Sequence, residues 1–274
     1  MSAKVLTVTF DTNTLNSVVS PENAQRGTTE SGASVRAALQ AGRILGVFSE
    51  TLVTLEAIPR KDRADVLGKS RLVSHKLPEG SDVERIYSFI NTPPQEDIRS
   101  KERVENALKL NMRPLFSPMH LGKPHWTRND CPLYTPENPV DLLLCMQKME
   151  RLVGEIAQRG VGKAIADAVA INLGNFDPVV VRQMSEPERW ELIHQGLGRA
   201  QSKAERKRVA EAVAEWADGD AVAAHYGFGI DLFCSEDFAS QSGKSVLDHA
   251  HREWLSEKFE VQFVSLAELA ARVS

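Results

Sequence analysis

Acidic side chains follow hydrophobic, strand-like segments at several points of this chain, where metal binding or catalysis could take place. Asp11 comes directly after the segment KVLTVTF at 4–10, and Asp237 lies three residues beyond a segment that ends at Cys234. Asp220 falls in the first turn of a short predicted helix of small residues that leads into the latter strand. Ligands of open parallel sheets bind beyond the carboxyl ends of the strands. We therefore expect these three acids to meet at one edge of a sheet.

Glu56 is the fourth candidate acid, and the predicted geometry of its helix singles it out. Ser49 occupies an N-cap position, and the sequence predicts a helix over 50–58 that ends before Pro59. At 100° per residue, Glu56 then lies between Leu52 and its apolar neighbour at 53. A carboxylate among aliphatic side chains is costly unless it is paired, protonated or bound to a cation. Glu56 is therefore expected to be a metal ligand or the partner of a basic side chain.

A cluster of three or four carboxylates would need a cation to stay ionised, because like charges repel. Hard oxygen ligands favour Mg²⁺ or Mn²⁺ over zinc. Such an ion can activate a water molecule and neutralise the charge of a phosphodiester during in-line attack. This chemistry needs no nucleophilic side chain, so the pattern predicts metal-dependent phosphodiester hydrolysis.

Each acid also has a purely structural interpretation, and neighbouring acids compete for each role. An Asp that precedes a helix is commonly an N-cap, and Asp218 fits that position best, two residues ahead of Asp220. Glu50 lies in the first turn of its predicted helix, where the helix dipole accounts for it. Glu50 stays an alternative to Glu56, as Asp218 does to Asp220. Two further acids are alternatives to Asp237, namely Asp231 and Glu236.

The order of predicted elements indicates an α/β fold. Hydrophobic, β-branched segments predict strands at 4–10, 43–48, 230–234 and 261–264, with helices between them. Alternation of this kind favours a three-layer α/β/α arrangement around a central, mainly parallel sheet. The stretch 21–34 is rich in turn-forming residues and predicts a mobile loop.

The middle of the chain has a different character and predicts an insertion. Strand-like alternation is absent from about 60 to 200, and helical periodicity dominates, with helices expected at 95–110, 138–160 and 185–195. We therefore expect a discontinuous core made of 1–60 and 203–274. The remainder, 61–202, would be a mostly helical insertion with an irregular, proline-rich stretch at 112–139.

Short motifs of the core resemble those of the PIN domain family. The elements are a hydrophobic strand followed by Asp11-Thr-Asn13, a strand followed by Ser49 and later Leu55-Glu56, Asp220-Ala-Val-Ala-Ala, and a strand followed by Ser235-Glu-Asp237-Phe238. The ending VQFVSLAEL is similar to the close of a PIN domain. The resemblance covers 1–60 and 203–274, and the insertion between them is longer than the connecting helices of a compact PIN toxin.

The resemblance implies a function and a role for each matching residue. Most PIN proteins are metal-dependent ribonucleases, which implies a Mg²⁺- or Mn²⁺-dependent endonuclease acting on single-stranded RNA. By the same resemblance Asn13 and Ser235 would be polar residues that hold the acids in place. The catalytic and metal-binding carboxylates would be Asp11, Glu56, Asp220 and Asp237. The alternatives are an RNA-binding or scaffolding protein that keeps the fold and cleaves nothing, and a structure-specific DNA nuclease.

Composition sets limits on partners and location. The formal net charge of −4 provides no global basic field for nucleic acid, although four cations are concentrated at 203–208. This basic run is either a solvated helix face or a contact for backbone phosphates. The three cysteines form no CxxC pair, so neither a disulfide framework nor a zinc cage is expected. No signal peptide or membrane span is indicated, which predicts a cytoplasmic protein, with RNA as the main partner and a protein inhibitor or self-association as further candidates.

Overall fold

The fold was analysed in a computed structural model of the 274-residue chain. The structure describes residues 5–20, 28–52, 54–76, 85–90, 98–116, 134, 139–238 and 244–274. Part of the predicted loop at 21–34 and most of the proline-rich stretch at 112–139 lie outside these residues. Within the described part of the chain, no helix is both long enough and apolar enough to cross a membrane.

A five-stranded, all-parallel sheet forms the centre of the molecule, as the α/β prediction requires. The order of its strands is β5-β2-β1-β6-β7. They span Leu6–Phe10 (β1), Ile44–Ser49 (β2), Arg113–Leu115 (β5), Leu232–Cys234 (β6) and Phe263–Val264 (β7). Strand β1 pairs with β2 through Phe10 and Phe48 and with β6 through Phe10 and Cys234, so these three strands end at the same edge.

Helices cover both faces of this sheet, which gives the predicted three layers. One face packs against α1, α2, α4 and α11, which span Thr12–Val19, Thr29–Gln40, Ile98–Lys109 and Leu266–Val273. The other packs against α5, α9 and α10, which span Pro139–Gln158, Lys203–Phe228 and His249–Phe259. Side chains of β6 alternate between the layers: Leu232 and Cys234 enter the first and Phe233 the second.

A third hydrophobic cluster lies around the N-terminal half of α9. It contains the fully buried Trp216 and residues of three surrounding helices, α3 (Arg63–Gly68), α6 (Lys163–Gly174) and α8 (Glu186–Leu197). The short helix α7 (Pro178–Gln183) connects α6 to α8, and strands β3 (Arg71–Lys76) and β4 (Arg85–Ile90) form a separate antiparallel pair. The helices α8, α9 and α11 each begin with a Ser-Glu capping box, as predicted for α8 and α11.

Several predicted elements have other bounds in the structure. The stretch 29–34, expected as loop, is the first half of α2. The prediction of a helix over 50–58 is wrong. Ser49 ends β2, a one-turn 3-10 helix covers Glu50–Leu52, and turns follow. The predicted break at Asp218-Gly-Asp220 is also wrong, because α9 continues through both acids for 26 residues.

The predicted helical insertion also contributes to the sheet. Strand β5 lies within 61–202, yet it pairs in parallel with the end of β2 through Phe48 and Pro114. Proline occurs in sheets mainly on edge strands, and β5 is the outermost strand in the order of this sheet, with a further bridge from Leu115 to Tyr134. The described residues of this region are otherwise mainly helical, apart from the β3–β4 pair.

Two glycines allow α3 and α8 to pack closely, which provides a test of the fold. A Cβ added to Gly68 would lie 2.4 Å from the Cα of Gly198. Gly68→Ala is therefore expected to lower the free energy of unfolding by about 1–3 kcal/mol, measured by urea denaturation. In the matched variant Gly154→Ala, on helix α5, the added Cβ meets no atom within 4 Å. That variant should gain about 0.5–1 kcal/mol, since alanine favours a helix interior.

Candidate active site

Asp11 stands at the carboxyl end of the central strand β1, where it is also the N-cap of α1. Its backbone N–H donates to the Cys234 carbonyl at 3.0 Å, which ties the end of β1 to that of β6. Its Oδ1 accepts from the Thr12 N–H at 2.6 Å, and its Oδ2 accepts from the Ser235 hydroxyl at 2.8 Å. The carboxylate is thus fixed from two neighbouring strands.

Ser235 and Asn13 hold the segment after β6 in place beside Asp11. The fully buried Ser235 hydroxyl accepts from the Asp237 N–H at 3.0 Å while donating to Asp11. The Asn13 side-chain oxygen accepts from the Glu236 N–H at 3.3 Å. Ser235 and Asn13 therefore fix the backbone after β6 beside the end of β1.

Glu56 reaches the same edge of the sheet from the turns that follow β2. Its Oε2 accepts from the Thr12 hydroxyl at 2.6 Å, one residue beyond Asp11. Residues 54–57 form turns rather than a helix, so Glu56 does not lie on the predicted apolar helix face. The contact with Thr12 favours Glu56 over Glu50, which is buried in the preceding 3-10 helix.

On helix α9, Asp218 rather than Asp220 faces Asp11, Glu56 and Asp237. Burial raises the pKa of Asp218 well above its ordinary value, and the charges of Asp11 and Glu56 raise it further, followed by those of Glu215 and Asp237. Glu215 lies three residues earlier on the same face of α9, and burial followed by the charge of Asp237 raises its pKa as well. Sequence reasoning missed Glu215, although its spacing from Asp218 was a usable signal.

Asp220 lies on the opposite side of the helix. Two residues correspond to a rotation of about 200° in an α-helix. Asp220 is buried, and with Trp216 it lines a cavity of about 860 Å³ between α9 and the outer helices. The structure therefore does not bring Asp220 together with Asp11, Glu56 and Asp237.

The remaining alternatives have other contacts. Asp231 precedes β6, at the end of the sheet opposite the acids, and its Oδ2 accepts from the N–H and hydroxyl of Thr7 at 2.9 and 2.7 Å. Glu236 caps α11, since its Oε1 accepts from the Leu266 N–H at 2.7 Å. Asp237 is exposed at the mouth of the site.

Asp11, Glu56, Asp218 and Asp237 form a set of neighbouring acids, the acid group, whose negative charges act on one another. Burial raises the pKa of Asp11 to about 6, and Glu56 and Asp237 add to this effect, while hydrogen bonds from Ser235 and Thr12 oppose it. Burial first, and then mutual repulsion, therefore disfavour the ionised form of these carboxylates.

Two buried arginines flank the acids. Arg63 donates to the carbonyls of Ile58 and Ala210, and its guanidinium interacts with the charges of Glu56 and Asp218. Arg252 donates to the backbone carbonyl of Asp237 and interacts with the charges of Asp11 and Asp237. Burial lowers the pKa of both guanidinium groups. Nothing in the sequence pattern had marked either arginine.

The donor chemistry of the group fits a hard divalent cation, although the ligands are not drawn together. In the parts of the chain that the structure describes, no three acidic, histidine or cysteine side chains converge closely enough to form a ready metal cage. Carboxylate oxygens are nevertheless the ligands that Mg²⁺ and Mn²⁺ prefer, and a cation would relieve the repulsion that raises the pKa of Asp11. Asp11, Glu56, Asp218 and Asp237 are the residues that would hold it.

Comparison of the chain with models of known protein families, with curated proteins and with solved structures found no match.

Proposed function

We propose that this chain is a PIN-like endoribonuclease that hydrolyses single-stranded RNA with the help of Mg²⁺ or Mn²⁺. The observation that carries the proposal is the grouping of four acids at the carboxyl edge of a parallel sheet. Asp11, Glu56 and Asp237 come from segments far apart in the sequence. The negative charge of each raises the pKa of Asp218. In the expected set of metal-binding acids, Asp218 takes the place of Asp220. The protein would act in the cytoplasm.

In this proposal, some acids of the site bind the metal ion and another transfers a proton. A bound divalent ion would supply a Lewis acid for the phosphate and a more acidic water. Asp11, fixed by Ser235 and Thr12, can keep one orientation throughout the reaction because its oxygens are already bonded from two sides. Burial raises the pKa of Glu215, which lies one helix turn from Asp218, and in this proposal it transfers a proton during the reaction.

Buried guanidinium groups suit the charge that develops on a phosphate. A guanidinium group keeps its proton at neutral pH. Arg63 interacts with the charges of Glu56 and Asp218, and Arg252 with those of Asp11 and Asp237. Their positions are fixed by backbone carbonyls, so they need no reorganisation when substrate binds. In this proposal they balance the acids and restrict the orientation of the scissile phosphate.

Asp11→Asn tests the proposal directly. The variant should lose cleavage of a fluorescent single-stranded RNA by about a hundredfold or more, because it removes a charged ligand while keeping the shape of the N-cap. Parallel assays with EDTA, single-stranded DNA and a DNA flap measure metal dependence and substrate class. Undiminished cleavage by Asp11→Asn would refute the assignment, and preferred cleavage of the flap would make the chain a DNA nuclease.

One observation favours a second candidate, an RNA-binding or scaffolding protein that cleaves nothing. It is the finding that no ready metal cage exists among the described residues. Isothermal titration of the purified chain with Mn²⁺ separates the two. Binding of the ion by the wild type and loss of binding in Asp11→Asn favour the nuclease, whereas no heat at millimolar Mn²⁺ favours the scaffold.

A further inference from the structure

A basic cleft lies where helix α9 begins, beside the segment that precedes α3. It has a volume of about 390 Å³, and five cations line it: Arg60, Lys61, Lys203, Arg206 and Lys207. Glu211 is its single acidic lining residue. In a chain whose net charge is −4, this concentration of positive charge is a local feature.

Most of the charge in the cleft is available to a ligand. Arg206 pairs with Asp65 at 2.8 Å, and Lys207 lies 3.6 Å from Glu211 with both side chains more than half exposed. Among the residues that the structure describes, Arg60, Lys61 and Lys203 have no carboxylate oxygen within 4 Å. Exposed ion pairs of this kind are weak, so an anion can compete with them.

The cleft lies along the same face of α9 as Asp218. Ala210 lines the cleft, and its carbonyl accepts from Arg63 at 2.7 Å, while Arg63 interacts with the charges of Glu56 and Asp218. Lys207 and Asp218 lie 11 residues apart on α9, which places them on one face about 16 Å from each other. A strand that follows this face of α9 would therefore connect Asp218 to the cleft.

An exposed aromatic ring directly follows one of the acids in the chain. Phe238 follows Asp237 directly and is 60% exposed. The Arg252 guanidinium carbon lies 4.4 Å from the centre of its ring, so the ring is supported by a cation–π contact. Exposure of a large aromatic residue beside a polar site suits the stacking of an unpaired base, which proteins use without sequence preference.

We propose that a single nucleic-acid strand binds across the site, with its backbone phosphates in the basic cleft and one unpaired base stacked on Phe238. This inference rests on the proposed function, because the path of the strand assumes that its scissile phosphate binds at the acids. It adds the residues that would bind the strand away from the acids, and stacking on Phe238 requires a base that is not already paired.

The first test measures binding in EDTA, so that no cleavage is needed. The probe is a fluorescein-labelled 12-nucleotide RNA without secondary structure, and the readout is fluorescence anisotropy over a range of salt concentrations. Lys203→Glu combined with Lys207→Glu should weaken binding by about tenfold or more, and should lower the slope of log K against log salt by about 1.4, or 0.7 for each phosphate that a lysine no longer neutralises. The matched control, Lys109→Glu with Lys148→Glu, changes the net charge equally at two other exposed positions.

The second test concerns the ring. Phe238→Ala should weaken binding of the same RNA by about tenfold, the size expected for losing one stacked base, and should leave the salt slope unchanged. Phe238→Trp should restore the affinity. Val179→Ala is the control, since Val179 is 57% exposed on α7 and distant from the acids in sequence.

The outcomes separate this inference from the proposed nuclease activity. Equal affinities of the cleft variant and its charge-matched control would overturn the phosphate track, and equal affinities of Phe238→Ala and Val179→Ala would overturn the stacking contact. An unlabelled RNA duplex that competes as well as the single strand would also contradict it. Failure of the chain to cleave RNA in Mg²⁺ would leave these binding results intact, because they are obtained without metal.

Discussion

Asp218→Asn is expected to reduce metal-dependent RNA cleavage by about a hundredfold or more, whereas Asp220→Asn should retain it within about threefold. Asp218 faces Asp11, Glu56 and Asp237, and the substitution removes one negative charge from the group that would bind the cation. Asp220 lies about 200° further around α9, against the outer helices. Initial rates with a quenched fluorescent RNA, at saturating Mn²⁺, measure the difference.

The pair of variants is well matched, because the two residues lie two positions apart in one helix and each loses the same charge. Asp220 is buried, so thermal unfolding of both proteins must first establish that they are folded. Loss of cleavage in Asp220→Asn with retention in Asp218→Asn would reverse our assignment and restore the residue that the motif alone selects. Equal retention in both would remove α9 from the site.

The choice between these two acids depends on a feature that sequence reasoning could not determine. The pattern Asp218-Gly-Asp220 predicts an N-cap and a new helix, since Asp and Gly are frequent where helices begin. In the structure the helix continues, and Gly219 serves close packing instead: a Cβ at this position would lie 3.3 Å from the Cα of Gly162, a tight contact. A glycine that permits close helix packing and a glycine at a helix break give the same pattern in the sequence.

Glu56 was selected for a reason that the structure does not support. The expected helix over 50–58 would have placed it in an apolar arc, but turns occupy that stretch. Its approach to Asp11 comes instead from the Thr12 hydroxyl, a contact between residues 44 positions apart. Periodicity describes neighbours along one element, so it cannot reveal a partner that a different strand supplies.

The strands of the first and last segments were predictable because their β-branched and apolar runs are bounded by clear turns and caps. Strand β5 was not, since it has only three residues and contains Pro114, which argues against a strand in general. Its position at the edge of the sheet, which explains the proline, exists only after the fold is known. The arginines beside the acids were invisible for a similar reason, as Arg63 and Arg252 reach the site through their own packing.

Addition of Mn²⁺ is expected to raise the melting temperature of the wild type by several degrees. An ion that binds only the folded chain, at a hundred times its dissociation constant, adds about 2.7 kcal/mol of stability. For a chain of this size that corresponds to a shift of about 5–10 °C. Differential scanning fluorimetry at pH 7.5 measures it, with Asp11→Asn and Asp218→Asn as variants that should respond weakly and Asp220→Asn as one that should respond fully.

Without metal, Asp11→Asn should instead be more stable than the wild type, by about 3 kcal/mol at pH 7.5. The pKa of Asp11 is raised from 3.8 to about 6 in the folded chain, so the folded state holds its proton more tightly than the unfolded state does. Wild-type stability from this group is therefore lost as pH rises from about 4 through 6, and the asparagine variant avoids that loss.

The comparison must be made as a difference between the two proteins at each pH. His194 and His225 are buried, and burial lowers the pKa of each to about 3, so both stay neutral in the folded chain. They make either protein less stable as pH falls below about 6.5, which is opposite in sign to the effect of Asp11. Subtraction removes this contribution, leaving a gap that should be near zero at pH 4 and widest above pH 6. A gap that is constant with pH, or a wild type that is the more stable protein without metal, would mean that Asp11 is not under the repulsion on which the metal site depends.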